Sequence, residues 1–354
     1  MELAPFSAGD DAALTTLLLP FATGALPWPA SNRVLFLRAR AGGGLPTVST
    51  HWVCEQSFRP YADALRRAGL TAAPVVCEGK FDLVLVLPPR QRDESRALLA
   101  RALQHLAGAG VVVASMLNAE GARSAESDLA SLAGPVQTLS KNKCRVFWAT
   151  EDSARMDLGR IAAWALLDAP RPIADGRFQS RPGLFAWDRI DAASALLASC
   201  LPADLSGHGA DLGAGFGYLS AEVIARCPGV VALDLYEAEA RALDLARINL
   251  TNQAERVPPV KLAYHWHDVT SGLAERYDFI VSNPPFHQGR ADLPDLGRAF
   301  IAAAAAALKP RGRLWLVANR HLPYEAALAN GFASCRSVQV QDGFKVIEAI
   351  KAGA

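Results

Sequence analysis

The sequence predicts an α/β protein in which a Rossmann-like fold occurs twice in tandem. Its 354 residues exceed the usual size of one domain, and apolar runs typical of buried strands alternate with amphipathic segments typical of helices. Residues 81–89 and 277–285 also repeat each other, since each places an Asp and a Pro-Pro pair at the same spacing around an apolar run. We therefore place one unit at residues 1–170, a linker at 171–188 and a second unit at 189–354.

The composition is that of a globular protein. Hydrophobic residues make up 51% of the chain and charged residues 20%, which is enough apolar material for two cores. The sequence has no apolar run of about 18 residues and no signal peptide, so we expect a soluble, cytoplasmic protein without a membrane partner. The six cysteines lack partners at metal-ligand spacing, so no metal is expected. A formal charge of +1 leaves RNA binding to local basic clusters.

The elements of the first unit follow from the spacing of apolar residues. A Gly-rich turn at 38–44 comes after its first strand, but no acid or ordered glycine spacing indicates a cofactor site there. In chain order, the predicted elements are a helix at 11–19, strands at 33–37, 74–77 and 81–87, a helix at 94–106, and strands at 110–115 and 144–149.

A change in composition separates the second unit from the first. Residues 169–183 are rich in Pro, Gly and Arg, which is typical of a linker. The pattern then predicts an amphipathic helix at 190–201 and buried strands at 229–234 and 277–282.

An acid and three alternating glycines stand in the second unit before a predicted helix. Asp211 precedes Gly213, Gly215 and Gly217. Glycines let a ligand approach the backbone, and a helix start presents unpaired N–H groups. The acid disfavours a pyrophosphate and suits a cationic or zwitterionic ligand such as S-adenosylmethionine. The alternative is a glycine turn with a structural role only.

Two further acids follow strands that would end at the same edge of a parallel sheet. Asp234 ends a predicted strand about 20 residues after the glycines, where a carboxylate can accept hydrogen bonds from ribose hydroxyls. Glu237 is the nearby alternative. Asp268 either accepts a hydrogen bond from an adenine amino group or caps a short helix.

A segment with the side chains of a binding site follows the next buried strand. It consists of Asn283, Pro284, Pro285, Phe286 and His287. The Asn side chain and the first Pro carbonyl offer acceptors and the Phe a flat aromatic surface, which suits a planar ring that carries an amino group. The alternative is a loop whose prolines merely end the strand. Because the glycine loop and the acids are expected at the same edge of the sheet, we favour the binding interpretation.

Four motifs resemble those of a known family: Arg181–Phe185, Ser282–His287, Val317–Tyr324 and Gly343–Val346. They are similar to motifs of bacterial ribosomal RNA guanine-N2 methyltransferases, which are class I S-adenosylmethionine-dependent enzymes, and especially to the small-subunit members. The resemblance implies S-adenosyl-L-methionine as cofactor and ribosomal RNA of the small subunit as partner. It further implies a substrate base at Asn283 to Phe286 and a cofactor held by Asp211, Gly213, Gly215, Gly217, Asp234, Asp268 and Asn283.

The resemblance and the chemistry of the site predict direct methyl transfer to the exocyclic N2 of guanine. Asn283 and the Pro284 carbonyl would bind the amine hydrogens, and Phe286 would stack on an unpaired or flipped base. His287 would contact the base or close the loop, and no general base is required. Guanine N2 of large-subunit RNA, adenine N6 and protein glutamine N5 stay open as alternatives, as does a non-catalytic RNA-binding module.

The first copy of the repeat lacks the groups that carry this chemistry. It has Leu87 in place of the Asn and Arg90 in place of the Phe, which predicts a degenerate methyltransferase-like unit that binds substrate. Lys141, Lys143 and Arg145 are close in sequence and would contact phosphates if they share a face. An ordinary solvated surface is the alternative.

Overall fold

Each half of the chain folds into a seven-stranded sheet with helices packed against it. The structure is a computed structural model. One unit comprises Met1–Ala169 and Arg181–Gly183, and the other comprises Pro170–Ser180 and Leu184–Ala354. For residues 287–288, 291–292 and 294 only the backbone is described. The described residues are 11–43, 45, 52–251, 259–285, 287–288, 291–292 and 294–353.

The first unit alternates strands with helices. The inner strands are rich in Val and Leu and buried along nearly their whole length, as expected when helices cover both faces of a parallel sheet. In chain order its elements are α1 (Ala12–Leu17), α2 (Leu19–Ala22), β1 (Val34–Leu37), β2 (Trp52–Glu55), α3 (Arg59–Arg67), β3 (Ala72–Ala73), β4 (Phe81–Val86), α4 (Arg92–Gln104), β5 (Leu106–Leu117), α5 (Ala122–Ala133), β6 (Gln137–Lys141), β7 (Cys144–Thr150) and α6 (Leu158–Trp164).

The second unit repeats this alternation after a short hairpin. Its elements are β8 (Arg171–Ile173), β9 (Phe178–Ser180), α7 (Ala192–Cys200), β10 (Ser206–Leu212), α8 (Tyr218–Arg226), β11 (Gly229–Glu237), α9 (Ala240–Leu250), β12 (Lys261–Trp266), β13 (Tyr277–Ser282), β14 (His287–Gln288), β15 (Ala291–Asp292), α10 (Pro294–Ala307), β16 (Leu308–Asn319), α11 (Glu325–Ala329), β17 (Ser334–Gln341) and β18 (Phe344–Ile350).

The two large sheets have the same strand order. It is β3-β2-β1-β4-β5-β7-β6 in the first unit and β12-β11-β10-β13-β16-β18-β17 in the second. In both, the next-to-last strand of the order runs antiparallel to its neighbours. The corresponding strands β5 and β16 also share one length and one sequence of buried and exposed positions. The prediction of a duplicated Rossmann-like α/β fold is therefore confirmed.

The structure corrects two predictions, a strand at residues 74–77 in the first unit and a linker at residues 171–188. Residues 74–77, predicted as a strand, follow the short strand β3 and lie outside it. The segment 171–188, predicted as a linker, contains the β8–β9 hairpin, and Phe178 of this hairpin is 1% exposed in the core of the second unit. The segment is rich in Pro and Gly because it turns tightly. Its buried apolar side chains pack in the core of the second unit.

The core of the second unit lies on both faces of its sheet. One face packs against α7, α8 and α9, with Phe279, Val281 and Trp315 among its buried side chains. The other packs against α10 and α11, with Tyr277 and Phe300. Among the helices that the structure describes, none combines the length and the apolar character that a bilayer crossing requires.

Candidate active site

The carboxyl ends of four neighbouring strands form one edge of the second sheet. Leu212 of β10 pairs with Tyr236 of β11 and with Ser282 of β13, and Glu237 pairs with Trp266 of β12. The Ser282 hydroxyl donates a hydrogen bond to the Leu212 carbonyl at 2.7 Å. The segments that follow these strands therefore leave the sheet at one level, which is where open parallel sheets bind their ligands.

Gly213 and Gly215 stand at the start of the loop after β10. Their φ angles are 76° and 56°, which glycine adopts without steric strain. A Cβ atom at Gly213 would lie 3.5 Å from Phe300 Cε1 and 3.8 Å from the carbonyl oxygen of Asn283, whereas one at Gly215 would meet no described atom within 4 Å. The space beside Gly215 is therefore open to a ligand, while Gly213 lies close to the backbone of Asn283.

Gly217, which the sequence pattern assigns to the cofactor, has a packing role. It caps α8 with a φ of 91°. A Cβ atom there would lie 3.2 Å from Ala246 Cβ and 3.3 Å from Leu250 Cδ1. The close approach of α9 to the start of α8 therefore explains glycine at this position without a ligand.

Asp211 is a fully buried carboxyl group directly before the loop. Its Oδ2 accepts a hydrogen bond from the Ser220 hydroxyl at 2.7 Å, and its Oδ1 has no hydrogen-bond partner within the described chain. Burial raises the pKa of Asp211 to about 7, although the hydrogen bond from Ser220 acts in the opposite direction. A buried oxygen without a partner favours a cationic group, so Asp211 suits the ammonium of a zwitterionic cofactor.

The structure contradicts the prediction for Asp234. β11 continues past this residue to Glu237, because its last residues pair with both neighbouring strands. Asp234 is 6% exposed. It accepts a hydrogen bond from the Tyr277 hydroxyl at 2.8 Å and lies 3.0 Å from His208 Nε2 and 3.6 Å from His265 Nε2. Asp234 is thus enclosed beneath the edge and does not face a ribose there.

Glu237 has the position that the sequence pattern assigned to Asp234. It is the last residue of β11, and its Oε2 and Oε1 accept hydrogen bonds at 2.8 Å from the N–H groups of Gly215 and Glu239. Burial raises the pKa of Glu237, while these N–H groups lower it. Each carboxylate oxygen can accept a further hydrogen bond, so Glu237 can bind a ribose diol while it orders the glycine loop.

Asp268 follows β12 and caps a short helical turn, Val269–Ser271. Its Oδ1 accepts hydrogen bonds from the N–H of Thr270 at 2.9 Å and from the Thr270 hydroxyl at 2.7 Å. Its Oδ2 forms no hydrogen bond with a residue that the structure describes. The capping interpretation is therefore correct, and it leaves one carboxylate oxygen for an adenine amino group.

Asn283 is held by the first turn of α7. Its Nδ2 donates to Asp191 Oδ2 at 2.9 Å and to Ser194 Oγ at 2.8 Å. Asp191 also caps α7, since its Oδ2 accepts the N–H of Ser194 at 2.9 Å. The Asp-x-x-Ser pattern signals a helix cap, but nothing local signals contact with an amide 89 and 92 positions away. Neither residue is therefore predicted from the sequence.

The rest of the Asn-Pro-Pro motif is described in part. Pro284 is buried and Pro285 is exposed. Phe286 lies outside the described residues. His287 begins β14, which pairs with β15 in a short antiparallel hairpin, and its side chain is not described.

The predicted RNA-contacting residues of the first unit are not equivalent. Lys141 and Lys143 are exposed at the β6–β7 turn, and β7 begins opposite the last residue of β5, so the turn lies at the carboxyl edge of the first sheet. Arg145 instead forms an ion pair with Glu126 at 2.7 Å. Its charge is compensated, so only the two lysines fit the prediction.

Strand pairing shows which positions correspond in the two units. Leu37 ends β1 and pairs with Val86 of β4, as Leu212 ends β10 and pairs with Ser282 of β13. The positions that correspond at the site are Phe36 for Asp211, Arg38 for Gly213, Gln56 for Glu237 and Leu87 for Asn283.

None of these replacements keeps the group that stands at its position in the second unit. Phe36 is fully buried and apolar. Arg38 has a φ of 53° and its Nη1 lies 3.9 Å from Glu94 Oε1. The Gln56 amide donates to the Ala39 carbonyl at 2.6 Å. The first unit therefore keeps the fold and lacks the acid, the glycine and the amide of the second at these positions.

Comparison with known proteins agrees with this geometry. Residues 175–348 match the family model described as Methyltransferase small domain. Ribosomal RNA small subunit methyltransferase C of Psychromonas ingrahamii is 33% identical over 77% of this chain and 77% of its own. The Pseudomonas aeruginosa protein of that name is 31% identical over 79% of this chain and 81% of its own.

One of the solved structures that resemble this protein matches nearly the whole chain. It is the T. thermophilus 16S rRNA N2 G1207 methyltransferase (RsmC) in complex with AdoMet and guanosine, with a TM-score of 0.80 and 24% identity. The match covers 97% of this chain and 93% of that chain. This likeness confirms the fold along nearly the whole chain.

Fold and site together define a class I S-adenosylmethionine-dependent methyltransferase. The strand order is that of a Rossmann-like sheet. The glycine loop with its buried acid and the Asn-Pro-Pro segment of the neighbouring strand lie at the same edge of this sheet. Identity to the small-subunit enzymes extends well beyond that edge into the first unit. The chain belongs to the ribosomal RNA small subunit methyltransferase C family, and the resemblance predicted from its motifs is confirmed.

Proposed function

We propose that this enzyme transfers a methyl group from S-adenosylmethionine to the exocyclic N2 of a guanine in 16S ribosomal RNA. The observation that carries the proposal is the adjacency of the glycine loop and the Asn-Pro-Pro segment. The two segments follow paired strands and leave the sheet at the same level. A Cβ atom placed on Gly213 would lie 3.8 Å from the backbone carbonyl oxygen of Asn283. A cofactor on the loop would therefore lie next to an amine held by the motif.

The described residues fit the cofactor. Asp211 has a buried oxygen without a partner, and the space at Gly215 is open. We propose that Asp211 binds the ammonium group, that the backbone of Gly213 and Gly215 contacts the ligand, and that Glu237, in place of Asp234, binds the ribose hydroxyls. Asp268 would accept a hydrogen bond from the adenine amino group. When bound, S-adenosylmethionine supplies an electrophilic methyl group.

Asn283 and Pro284 would prepare the guanine amine. The lone pair of this nitrogen is delocalised into the ring, so the amine is a poor nucleophile in its planar form. Acceptors at Asn283 Oδ1 and at the Pro284 carbonyl would bind its two hydrogens, direct the lone pair at the methyl group and offset the positive charge that develops. The methylated amine then loses a proton to solvent, so His287 is not required as a base.

The substrate proposal extends to the residues around the base. We propose that Phe286 stacks on a guanine that is unpaired or flipped from its helix, and that Lys141 and Lys143 contact phosphates. Guanine is favoured over adenine or glutamine by family membership and by the guanosine bound to the T. thermophilus enzyme. An enzyme with this substrate would work in the cytoplasm, in contact with the small ribosomal subunit or its RNA.

The proposal predicts that Asn283→Ala slows methyl transfer by roughly 100-fold or more, because one oriented hydrogen bond in a transition state is commonly worth a few kcal/mol. The measurement is single-turnover transfer from labelled S-adenosylmethionine to 16S RNA or to small subunits, followed by nucleoside mass mapping. N2-methylguanosine is the expected product. Methyladenosine as product, or a near-normal rate in the variant, would contradict the proposal.

A further inference from the structure

The amide of Asn283 has only one orientation that its surroundings accept. Both Nδ2 hydrogens have an acceptor, Asp191 Oδ2 at 2.9 Å and Ser194 Oγ at 2.8 Å. A rotated amide would place Oδ1 against the Asp191 carboxylate, which has no hydrogen to donate. The two oxygens would repel each other in a half-buried position. Asp191 thus selects the orientation in which Oδ1 points away from α7.

The same contact makes Oδ1 a better acceptor. A hydrogen bond from an amide N–H to a carboxylate is charge-assisted and stronger than one to a neutral group. It draws positive charge toward Nδ2 and leaves more negative charge on Oδ1, as hydrogen bonds in a chain polarise one another. An acceptor with more negative charge stabilises the positive charge that develops on an attacking amine.

We propose that Asp191, assisted by Ser194, is a positioning residue for methyl transfer. It fixes and polarises the Asn283 amide so that Oδ1 is directed at the amine of the substrate base before the base arrives. This inference rests on the proposed function, because it assigns to Asn283 the acceptor role described above. Asp191 itself touches neither substrate nor cofactor in this scheme.

A merely structural role for Asp191 must be separated from positioning, because this residue also caps α7. Asp191→Ser keeps a good capping group on a side chain that is too short to reach Asn283. Asp191→Asn keeps an oxygen for both contacts and removes the charge. Asp157→Ser is the matched control, since Asp157 caps α6 in the first unit by accepting the N–H of Arg160 at 2.9 Å and is remote from the site in sequence.

The test compares single-turnover rates, cofactor affinity and melting temperature among these variants. Asp191→Ser is expected to slow transfer by roughly 10- to 100-fold, in proportion to the loss of one charged hydrogen bond. Its cofactor Kd and its melting temperature should match those of Asp157→Ser and wild type. Asp191→Asn should recover only part of the rate, because its amide keeps an oxygen for the contact but lacks the charge that polarises Asn283. In an Asn283→Ala background, Asp191→Ser should add less than about 2-fold, because the two residues act as a unit.

Two kinetic results would overturn the inference. One is a wild-type rate in Asp191→Ser while Asn283→Ala is slow, which would leave the proposed function intact. The other is a rate loss that multiplies fully with that of Asn283→Ala. Side-chain amide exchange of Asn283, measured by NMR in protein labelled with ¹⁵N-asparagine, tests the contact without any substrate. It should be slow in wild type and fast in Asp191→Ser, and equal exchange would refute the positioning role even if no RNA were methylated.

Discussion

Asp211 is a buried carboxyl group whose ionisation affects the stability of the fold. Its pKa in the folded chain is about 7, raised by burial from 3.8. A raised carboxyl pKa means that the folded state holds its proton more tightly than the unfolded state does. The ionised group therefore lowers stability progressively from about pH 4 to pH 7, and the full cost persists above that range.

Asp211→Asn is accordingly expected to raise the melting temperature of the cofactor-free enzyme at pH 8 by several degrees, since the cost it removes is on the order of a few kcal/mol. Asn retains an acceptor for Ser220. The gain should shrink toward pH 5, and the affinity for S-adenosylmethionine at pH 8 should fall. Calorimetry at both pH values measures these effects, and a lower melting temperature at pH 8 would contradict the expectation.

Glu237 and Asp234 provide a matched pair of carboxylates on one strand. Glu237→Gln is expected to weaken S-adenosylmethionine binding by roughly 10- to 100-fold, which corresponds to one charged hydrogen bond. Asp234→Asn should leave the Kd within about 3-fold, because the side chain is enclosed by Tyr277, His208 and His265. Isothermal titration measures both values. A larger effect at Asp234 would assign the ribose to that residue instead.

At the level of elements, the contact between α8 and α9 depends on Gly217. Its φ of 91° strains any other residue, and a Cβ atom would lie 3.2 Å from Ala246 Cβ. Gly176, in the β8–β9 turn, has a φ of 85° and open space around a Cβ position. The two glycines therefore separate the cost of backbone strain from the cost of close packing.

Gly217→Ala is expected to lower the free energy of unfolding by about 2–4 kcal/mol, of which strain accounts for about 1–2 kcal/mol and overpacking for the rest. Gly176→Ala should lose only the strain contribution. Urea denaturation followed by tryptophan fluorescence measures the difference. Equal losses in the two variants would show that α9 moves away without cost.

At the level of the whole molecule, the first unit has the strand order of the second and lacks the groups proposed to bind the cofactor. Its side chains Phe36, Arg38 and Gln56 stand where the second unit has an acid, a glycine and a carboxylate. The first unit has the same sheet as the second, but different side chains at its carboxyl edge. This difference is consistent with a unit that contributes to RNA binding. The exposed lysines of the β6–β7 turn lie at that edge.

The double variant Lys141→Glu, Lys143→Glu is expected to weaken binding of 16S RNA and to reduce the slope of log K against log salt by about 1–2, because each lost phosphate contact removes about 0.7–0.9. Cofactor affinity should not change. Lys80→Glu is the matched control, since Lys80 precedes β4 at the opposite edge of the same sheet. An unchanged salt slope in the double variant would refute phosphate contact by the turn.

Periodic and local signals gave the sequence predictions that the structure confirms. The spacing of apolar residues predicts strands and helices because it does not depend on distant partners. The repeat of residues 81–89 in 277–285 predicts that the α/β fold occurs twice, as the shared strand order confirms. The spacing of Asp211 and its glycines indicated the loop at the carboxyl edge, and four short motifs indicated the family. Each of these signals is encoded within a few neighbouring residues, where backbone conformation is decided locally.

Only the tertiary structure determined which side chains face the site. β11 continues to Glu237 because Tyr236 pairs with Leu212 of β10 and Glu237 pairs with Trp266 of β12, so Asp234 lies within the strand as a buried partner of Tyr277. Asn283 is oriented by Asp191 and Ser194 through hydrogen bonds that span 92 and 89 positions. Strand ends and amide orientations depend on contacts between residues far apart in sequence, and local patterns do not record such contacts.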